Sequence, residues 1–372
     1  MLQAMMRPEV LRLTPYVPIK PLHVLSAELG LPIEALNKLD ANESPYGPSP
    51  QALAALRALR LEIPIYPDPD SLDLRGALAE KLGVTSEMVV VGAGADELIE
   101  LLFKLFINPG EAIINCPPTF GMYTFCAAVA GAREVVVERD ADYRLDTAAI
   151  EAAILREGAK LVFISAPNNP DGSYLPPDLL PRLLALPVMV VLDEAYVAFT
   201  APDLAGEFGP ENTARLVADH PNLAVLRTFS KWGGMAGLRC GYGIFAPEVA
   251  RYLMSIKQPY NINVAARAAA LATLEDIDWA RQRVNWMIQA RARLYEQLAQ
   301  FEQLAPLPDS QGNFILAEVR GRSALEVKQA LQARGVLVRH FAKPRLENHI
   351  RISLGTPAQM DQFISILGEV LS

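Results

Sequence analysis

Seven short apolar runs set the frame for this chain: MVVVGAG, EAIINCP, REVVVE, AKLVFISAP, VMVVLDEA, LAVLRTFS and CGYGIFA. Between them lie longer segments with helical periodicity, such as DELIELLFKLFI and DTAAIEAAILREG. Strands that alternate with amphipathic helices need crossover connections, which predicts an α/β fold with a mostly parallel sheet covered on both faces. In such a sheet, ligands bind outside the carboxyl ends of the strands. Chemistry should therefore sit where the apolar runs end, and the polar residues cluster there.

The pattern changes after Asn263. A charge-rich helical stretch, LEDIDWARQRVNWMIQARARLYEQLAQ, leads into FILAEV, a helical SALEVKQALQARG, then VLVRHF and HIRISLG. This reads as a second, smaller α+β domain. The first forty residues are rich in proline (Pro8, Pro15, Pro18, Pro21, Pro32) and read as an arm plus a short helix. We expect a large domain over 41–262, and a small domain made of 1–40 plus 263–372. A chain of 372 residues is long for one domain, which fits this division.

The net charge of -8 argues against nucleic acid or an anionic membrane as the main partner, and leaves room for a local basic pocket. The N-terminal stretch lacks the apolar core of a signal peptide, and no run reaches the length of a membrane helix. Cys116, Cys126 and Cys240 have no metal-type spacing and read as reduced packing residues of a cytoplasmic protein. The four histidines form no HExxH or similar pattern, so no metal is expected.

Five strand ends carry candidate chemistry, and each also has a plainer account. VGAGADE spaces Gly92 and Gly94 as G-x-G, but the third glycine of a dinucleotide fingerprint would fall on Glu97. What remains is a small-residue turn opening a helix at Asp96, whose backbone N–H groups can hold a phosphate; Asp96 as a plain cap fits equally. Asp193 ends VMVVLD and needs a partner if buried, or it caps the next element. Asn169 in SAPNNPDG is either a hydrogen-bond donor to a ligand or a turn residue. Tyr123 in PTFGMY either stacks on a flat ring or belongs to the core. Lys231 follows LAVLRTFS and stands between Thr228, Ser230 and Arg239. A lysine forms a Schiff base only as the neutral amine, while hydroxyls and an arginine suit a phosphate dianion. The plainer account is a surface lysine in a glycine-rich loop.

Taken together, a phosphate nest, a ring-facing aromatic, an amide, a strand-end carboxylate and a lysine are the contacts that pyridoxal 5′-phosphate requires. Over nearly its whole length the chain resembles the fold-type I pyridoxal-phosphate-dependent aminotransferases, most closely the histidinol-phosphate aminotransferase family. The motifs are LTPYVP, KLDANESPYGPSP, IYPDPDSLDLRGALAEKLGV, ADELI, PTFGMY, APNNPDG, DEAYVAF, RTFSKWGGMAGLRCGYG, KQPYNINVAA, GNFIL, and GVLVRHF followed by HIRISLGTP.

That resemblance implies roles. Lys231 is the Schiff-base lysine and moves the proton between substrate Cα and the cofactor. Asp193 pairs with the pyridine nitrogen, Asn169 and Tyr196 hold the ring hydroxyl oxygen, and Tyr123 stacks on the ring. The phosphate is held at the Gly94 turn by the N–H groups of Ala95 and Asp96, by Thr228, Ser230 and Arg239, and by Tyr66 from the neighbouring subunit of a homodimer. Arg351 pairs with a substrate carboxylate, Arg339 shares the binding of a phosphate or carboxylate unless it is a solvated strand end, and Tyr16 and Asn42 lie near the substrate. The implied reaction is ping-pong amino transfer between glutamate/2-oxoglutarate and histidinol phosphate/imidazole-acetol phosphate, in histidine biosynthesis. A broader aromatic aminotransferase, a threonine-phosphate decarboxylase and a non-catalytic cofactor-binding regulator are the alternatives; no helix-turn-helix segment supports the last. Two departures concern loop shape. Ala95 stands where the family often has serine, and Trp232-Gly233 stands where a small residue and an aromatic are common.

Overall fold

The computed structural model describes residues 2–13, 15, 18–60 and 62–372. Tyr16, expected near the substrate, lies outside the described residues. Seven strands form the larger sheet: β2 (Val89–Gly92), β3 (Ala112–Asn115), β4 (Arg133–Val136), β5 (Leu161–Ser165), β6 (Met189–Asp193), β7 (Leu223–Thr228) and β8 (Gly241–Ile244), in the order β2-β8-β7-β6-β5-β3-β4. Only β8 runs against its neighbours; the other pairings are parallel. β5, β6 and β7 are buried along their whole length, which is why they read as continuous apolar runs and not as alternating ones.

The sheet has an apolar layer on each face. Val90, Ile113, Phe163, Val191 and Leu226 face one layer with Leu98, Leu102 and Phe103 of the helix Ala95–Phe106. Val91, Ile114, Val162, Val190 and Val225 face the other. The helix Ala95–Phe106 carries Asp96 and Glu97 in its first turn and Lys104 in its last, each sign where the helix dipole favours it. Its N-terminus meets the sheet at the carboxyl end of β2.

A second sheet has β1 (Asn37–Leu39), β9 (Leu304–Pro306), β10 (Phe314–Val319), β11 (Val336–His340) and β12 (His349–Ser353), in the order β1-β11-β12-β10-β9. β1 pairs in parallel with β11, which sets residues 40–42 beside the strands that carry Arg339 and Arg351.

Two helical features differ from the sequence reading. The charge-rich stretch, which begins at Leu274, is not one helix from its first residue: Leu274 and Glu275 end the helix Val264–Glu275, and after Asp276 (φ -97, ψ 38) the rest forms the helix Ile277–Leu298. The first is alanine-rich, capped by Asn263, and packs on the helix Pro50–Ala58. The second buries Ala280, Val284, Met287 and Leu294 at helical spacing. The helix Pro357–Leu371, which the sequence reading does not mark, starts at a reciprocal capping box between Thr356 and Gln359.

Candidate active site

Asp193 sits at the carboxyl end of β6, 4% exposed. The Tyr123 hydroxyl donates to its Oδ2 at 2.6 Å and the Ala195 N–H to its Oδ1 at 3.1 Å. Burial pushes its pKa up from 3.8 to about 6, and those two hydrogen bonds pull against the rise. Among the described residues no lysine or arginine forms an ion pair with it. A buried carboxylate so placed is ready for a cationic ligand group.

Tyr123 is placed differently from the expectation that it stacks on a ligand ring. It is fully buried, its ring lies on Phe163 (centroids 4.9 Å apart, planes at 19°), and Phe120 meets it edge-on. As the second residue of the helix Met122–Ala130 it turns into the core, and its hydroxyl reaches Asp193. Phe120, three residues earlier, lines the cavity described below. Spacing alone does not separate these two aromatics.

Lys231 follows β7 and is half-buried. Its Nζ donates to the Ala41 carbonyl at 3.2 Å and stands 5.7 Å from the centre of the Tyr196 ring. The Tyr196 hydroxyl accepts from Asn42 Nδ2 at 3.0 Å. Asn42, 1% exposed with φ +54, is held from the second sheet: its N–H donates to Ser353 Oγ at 2.9 Å, and its carbonyl accepts from Asn313 Nδ2 at 3.0 Å. Lys231 and Tyr196 from one sheet thus meet Asn42 held by the other. The sequence reading missed Ser353 and Asn313; the asparagine of GNFIL was its only trace.

Arg351, on β12, is 5% exposed. It donates to Asn169 Oδ1 and, at 2.8 Å, to the Asp40 carbonyl, while Phe314 and Phe341 flank its guanidinium at 5.3 and 5.5 Å. Arg339 faces Arg351 directly in the β11–β12 ladder. Like charges opposite one another in a sheet repel, and a bound anion would relieve that repulsion.

At the end of β2 the chain turns through Gly94 (φ +83) into the helix at Ala95. A side chain on Gly94 would run into the Arg239 guanidinium, and one on Gly241 into the Ala95 N–H, so both glycines are needed for close approach. Glu97 folds back to accept from the Ala93 N–H at 2.6 Å and from Asn261 at 2.8 Å, pinning the turn. Arg239 pairs with Asp96 at 2.8 Å, both half-exposed. Thr228 Oγ1 lies 2.9 Å from Ser230 Oγ and accepts from the Ser230 N–H. Hydroxyls, a guanidinium and the N-terminus of a helix are groups whose chemistry suits an anion.

A cavity of about 1250 Å³ opens beside this cluster. Lys231, Tyr196, Asn42, Asn169, Arg339 and Arg351 all line it; Asp193, the Gly94 turn, Thr228, Ser230 and Arg239 do not. Tyr66 stands apart: it is 78% exposed and stacked on Tyr260, with Ile63 and Ile65 also exposed. Among the described residues no group of histidine, cysteine or acidic side chains could hold a metal ion, and no helix is long and apolar enough to cross a membrane.

Residues 35–367 match the family model described as aminotransferase class I and II. The histidinol-phosphate aminotransferase of Roseiflexus castenholzii is 45% identical over 98% of each chain. The chloroplastic histidinol-phosphate aminotransferase of Nicotiana tabacum is 44% identical over 98% of this chain and 86% of its own. Among solved structures, histidinol-phosphate aminotransferase from Sinorhizobium meliloti in complex with pyridoxal-5′-phosphate superposes with a TM-score of 0.87 at 30% identity, covering 98% of this chain and 97% of that one.

Proposed function

The chain belongs to the class I and II aminotransferases, and from there we propose that it moves an amino group between glutamate/2-oxoglutarate and histidinol phosphate/imidazole-acetol phosphate. The observation that carries this reading is the convergence of Lys231 with the opposed pair Arg339 and Arg351 on one cavity. Both partner substrates are anions, one a dicarboxylate and one a phosphate monoester, and two adjacent guanidiniums suit either. The near-full-length likeness to proteins named for that reaction supports it.

The residues fit pyridoxal 5′-phosphate as cofactor. Asp193 supplies a buried carboxylate for the ring nitrogen, with Tyr123 donating to Asp193 from behind. The Ala95 and Asp96 N–H groups, Thr228, Ser230 and Arg239 are the phosphate ligands, and Asn169 and Tyr196 face the ring hydroxyl. Phe120 takes the ring-facing part first given to Tyr123, because it is on the cavity wall. When bound, the cofactor supplies a reactive aldehyde and an electron sink. Lys231 would hold the cofactor covalently until the substrate's amino group displaced it, and its freed amine would then take and return the proton at substrate Cα. Arg351, fixed by Asp40 and Asn169, takes the α-carboxylate of glutamate; Arg339 takes the second anionic group. Tyr66, with Ile63 and Ile65 around it, is the surface we assign to a second copy of the chain, whose phosphate site Tyr66 would complete. The three cysteines are free and buried, which suits a reducing cytoplasm.

The test is a half-reaction. Glutamate, histidinol phosphate and phenylalanine are added separately to the cofactor-loaded protein, and loss of its absorption band is followed. The first two should discharge the band. Phenylalanine discharging it as efficiently as histidinol phosphate would favour the broader aromatic enzyme. Carbon dioxide release from a phosphorylated amino acid, with no response to glutamate, would favour the decarboxylase.

A further inference from the structure

Arg339 and Arg351 lie on the two strands of one β-hairpin, β11 and β12, and residues 341–348 form its tip. That tip is fastened to a turn of the other sheet's connections, residues 139–144, by contacts in both directions. Arg345 donates to the carbonyls of Arg139, at 2.6 Å, and Asp140. Tyr143 answers with its hydroxyl, which donates to the Arg345 carbonyl at 2.8 Å, while the guanidinium lies 5.1 Å from the Tyr143 ring. Glu138, exposed and 3.9 Å away, adds only a weak charge contact.

Two further observations set this contact apart from ordinary loop packing. Tyr143 (φ +62) and Arg345 (φ +69) both hold a left-handed backbone that side-chain-bearing residues rarely adopt. Neither is a glycine; local turn bonds, from the Tyr143 N–H to the Asp140 carbonyl and from the Leu346 N–H to the Lys343 carbonyl, hold each turn, and the mutual contact joins the two turns. The turn under the latch is also anchored at the active-site end. Arg139, 3% exposed, donates to the Cys116 carbonyl, to the Tyr143 carbonyl and to Ser173 Oγ. Cys116 and Ser173 border the strand-end turns that carry Phe120 and Asn169.

We propose that the Arg345–Tyr143 latch positions the substrate-binding arginines. Tyr143, Leu346 and Phe341 belong to one apolar cluster, and the Phe341 ring stands 5.6 Å from the Arg339 guanidinium and 5.5 Å from that of Arg351. Fastening the tip therefore sets Phe341, and Phe341 sets the two cations at the spacing an anionic substrate meets. In this proposal Arg345 and Tyr143 are positioning residues; Arg345 also borders the cavity, so Tyr143→Phe, which removes no charge from the cavity wall, is the variant that separates positioning from direct contact. The inference rests on the reading of Arg339 and Arg351 as substrate ligands.

The test uses cofactor-loaded full-length protein with Tyr143→Phe, Arg345→Met, Arg345→Lys and the Tyr143→Phe/Arg345→Met pair. Glutamate affinity and the limiting rate come from the absorption change of the half-reaction, and hydrogen exchange is followed over residues 336–353. Each of Tyr143→Phe and Arg345→Met should weaken glutamate binding about five- to tenfold with the limiting rate within about twofold. The double variant should lose little more than either single one, because both open the same latch. Arg345→Lys should recover part of the affinity, and exchange in the hairpin should quicken in the weakened variants. Unchanged affinity in both single variants, fully multiplicative losses in the double one, or unchanged hairpin exchange would each overturn the proposal. A wild-type protein that ignores glutamate would sink the substrate reading, and the exchange comparison would still decide the latch.

Discussion

The two halves of the site are built on different principles. Asp193, Thr228 and Lys231 stand at the ends of parallel strands that are buried along their whole length. Next to them in sequence, Glu194, one residue past β6, and Arg227 of β7 form a fully buried ion pair, joined by Glu207, Thr213 and Tyr242. Arg339 and Arg351 stand on a hairpin whose tip is held by a few side-chain-to-carbonyl bonds. One half stands on strands buried along their whole length; the other stands on two inner strands of the second sheet, and only its loop, residues 341–348, depends on side-chain-to-carbonyl bonds that a single substitution can release. Covalent chemistry needs the first kind of support, and a site that takes the two different anions proposed above gains from the second.

The sharpest way to break this contrast is Lys231→Ala. The fold should survive, since the side chain makes one hydrogen bond to a carbonyl. Amino transfer should fall by about five orders of magnitude if Lys231 has the role of nucleophile and proton carrier proposed for it. Single-turnover kinetics with glutamate, beside a circular dichroism spectrum, check both halves of that statement. Arg227→Met probes the buried ion pair. It strands Glu194 and Glu207 in an apolar interior and should cost about 3–5 kcal/mol of stability in urea unfolding. A loss under 1 kcal/mol would mean that the strand ends do not depend on this network.

Legibility in the sequence follows the same division. The strand ends could be read because a strand buried on both faces is an unbroken apolar run, and its first polar residue marks the exit. Asp193 is such a residue; Asn169 and Lys231 lie a few positions further on, past Ser165 and past Arg227, Thr228 and Ser230. Tyr123 was assigned the wrong environment, since an aromatic on the wall and one in the core look alike one helical turn apart. The hairpin half was harder. Asn42 depends on Ser353, 311 residues away, and on Asn313, 271 away, and no local pattern announces such partners. β1 has three residues, too few to show a period. The break at Asp276 is hidden because polar and apolar residues keep helical spacing across it.

On the hairpin side, Arg351→Lys should separate charge from geometry. A lysine keeps the cation but cannot bond Asn169 and the Asp40 carbonyl at once while offering a flat fork to a carboxylate. Glutamate affinity should fall about 10- to 100-fold, with a smaller change in limiting rate. Equal losses from Arg351→Lys and Arg351→Ala would show that geometry, and not charge, is what the site supplies.

The smallest expected effect lies back on the side of the buried strands. Tyr123→Phe removes one hydrogen bond to Asp193 and leaves the ring packed on Phe163. Burial already lifts the Asp193 pKa to about 6, and the tyrosine hydroxyl is the strongest contact opposing that rise. Without it, Asp193 should hold its proton to still higher pH, by about one unit. In the cofactor-free protein the folded state keeps this proton up to about pH 6, while the unfolded chain releases it near 3.8. Between those values the unfolded state binds fewer protons, so stability contributed by Asp193 falls as pH rises through the window. Tyr123→Phe should extend that fall upward by the same unit, seen as a displaced pH dependence of the thermal midpoint. Cofactor affinity has the opposite slope, since the ring nitrogen needs the carboxylate ionised: it should rise with pH through about 6 in the wild type and through a higher value in the variant. Overlapping pH profiles for the two proteins would mean that Tyr123 only fills space, and that Asp193 is tuned by burial alone.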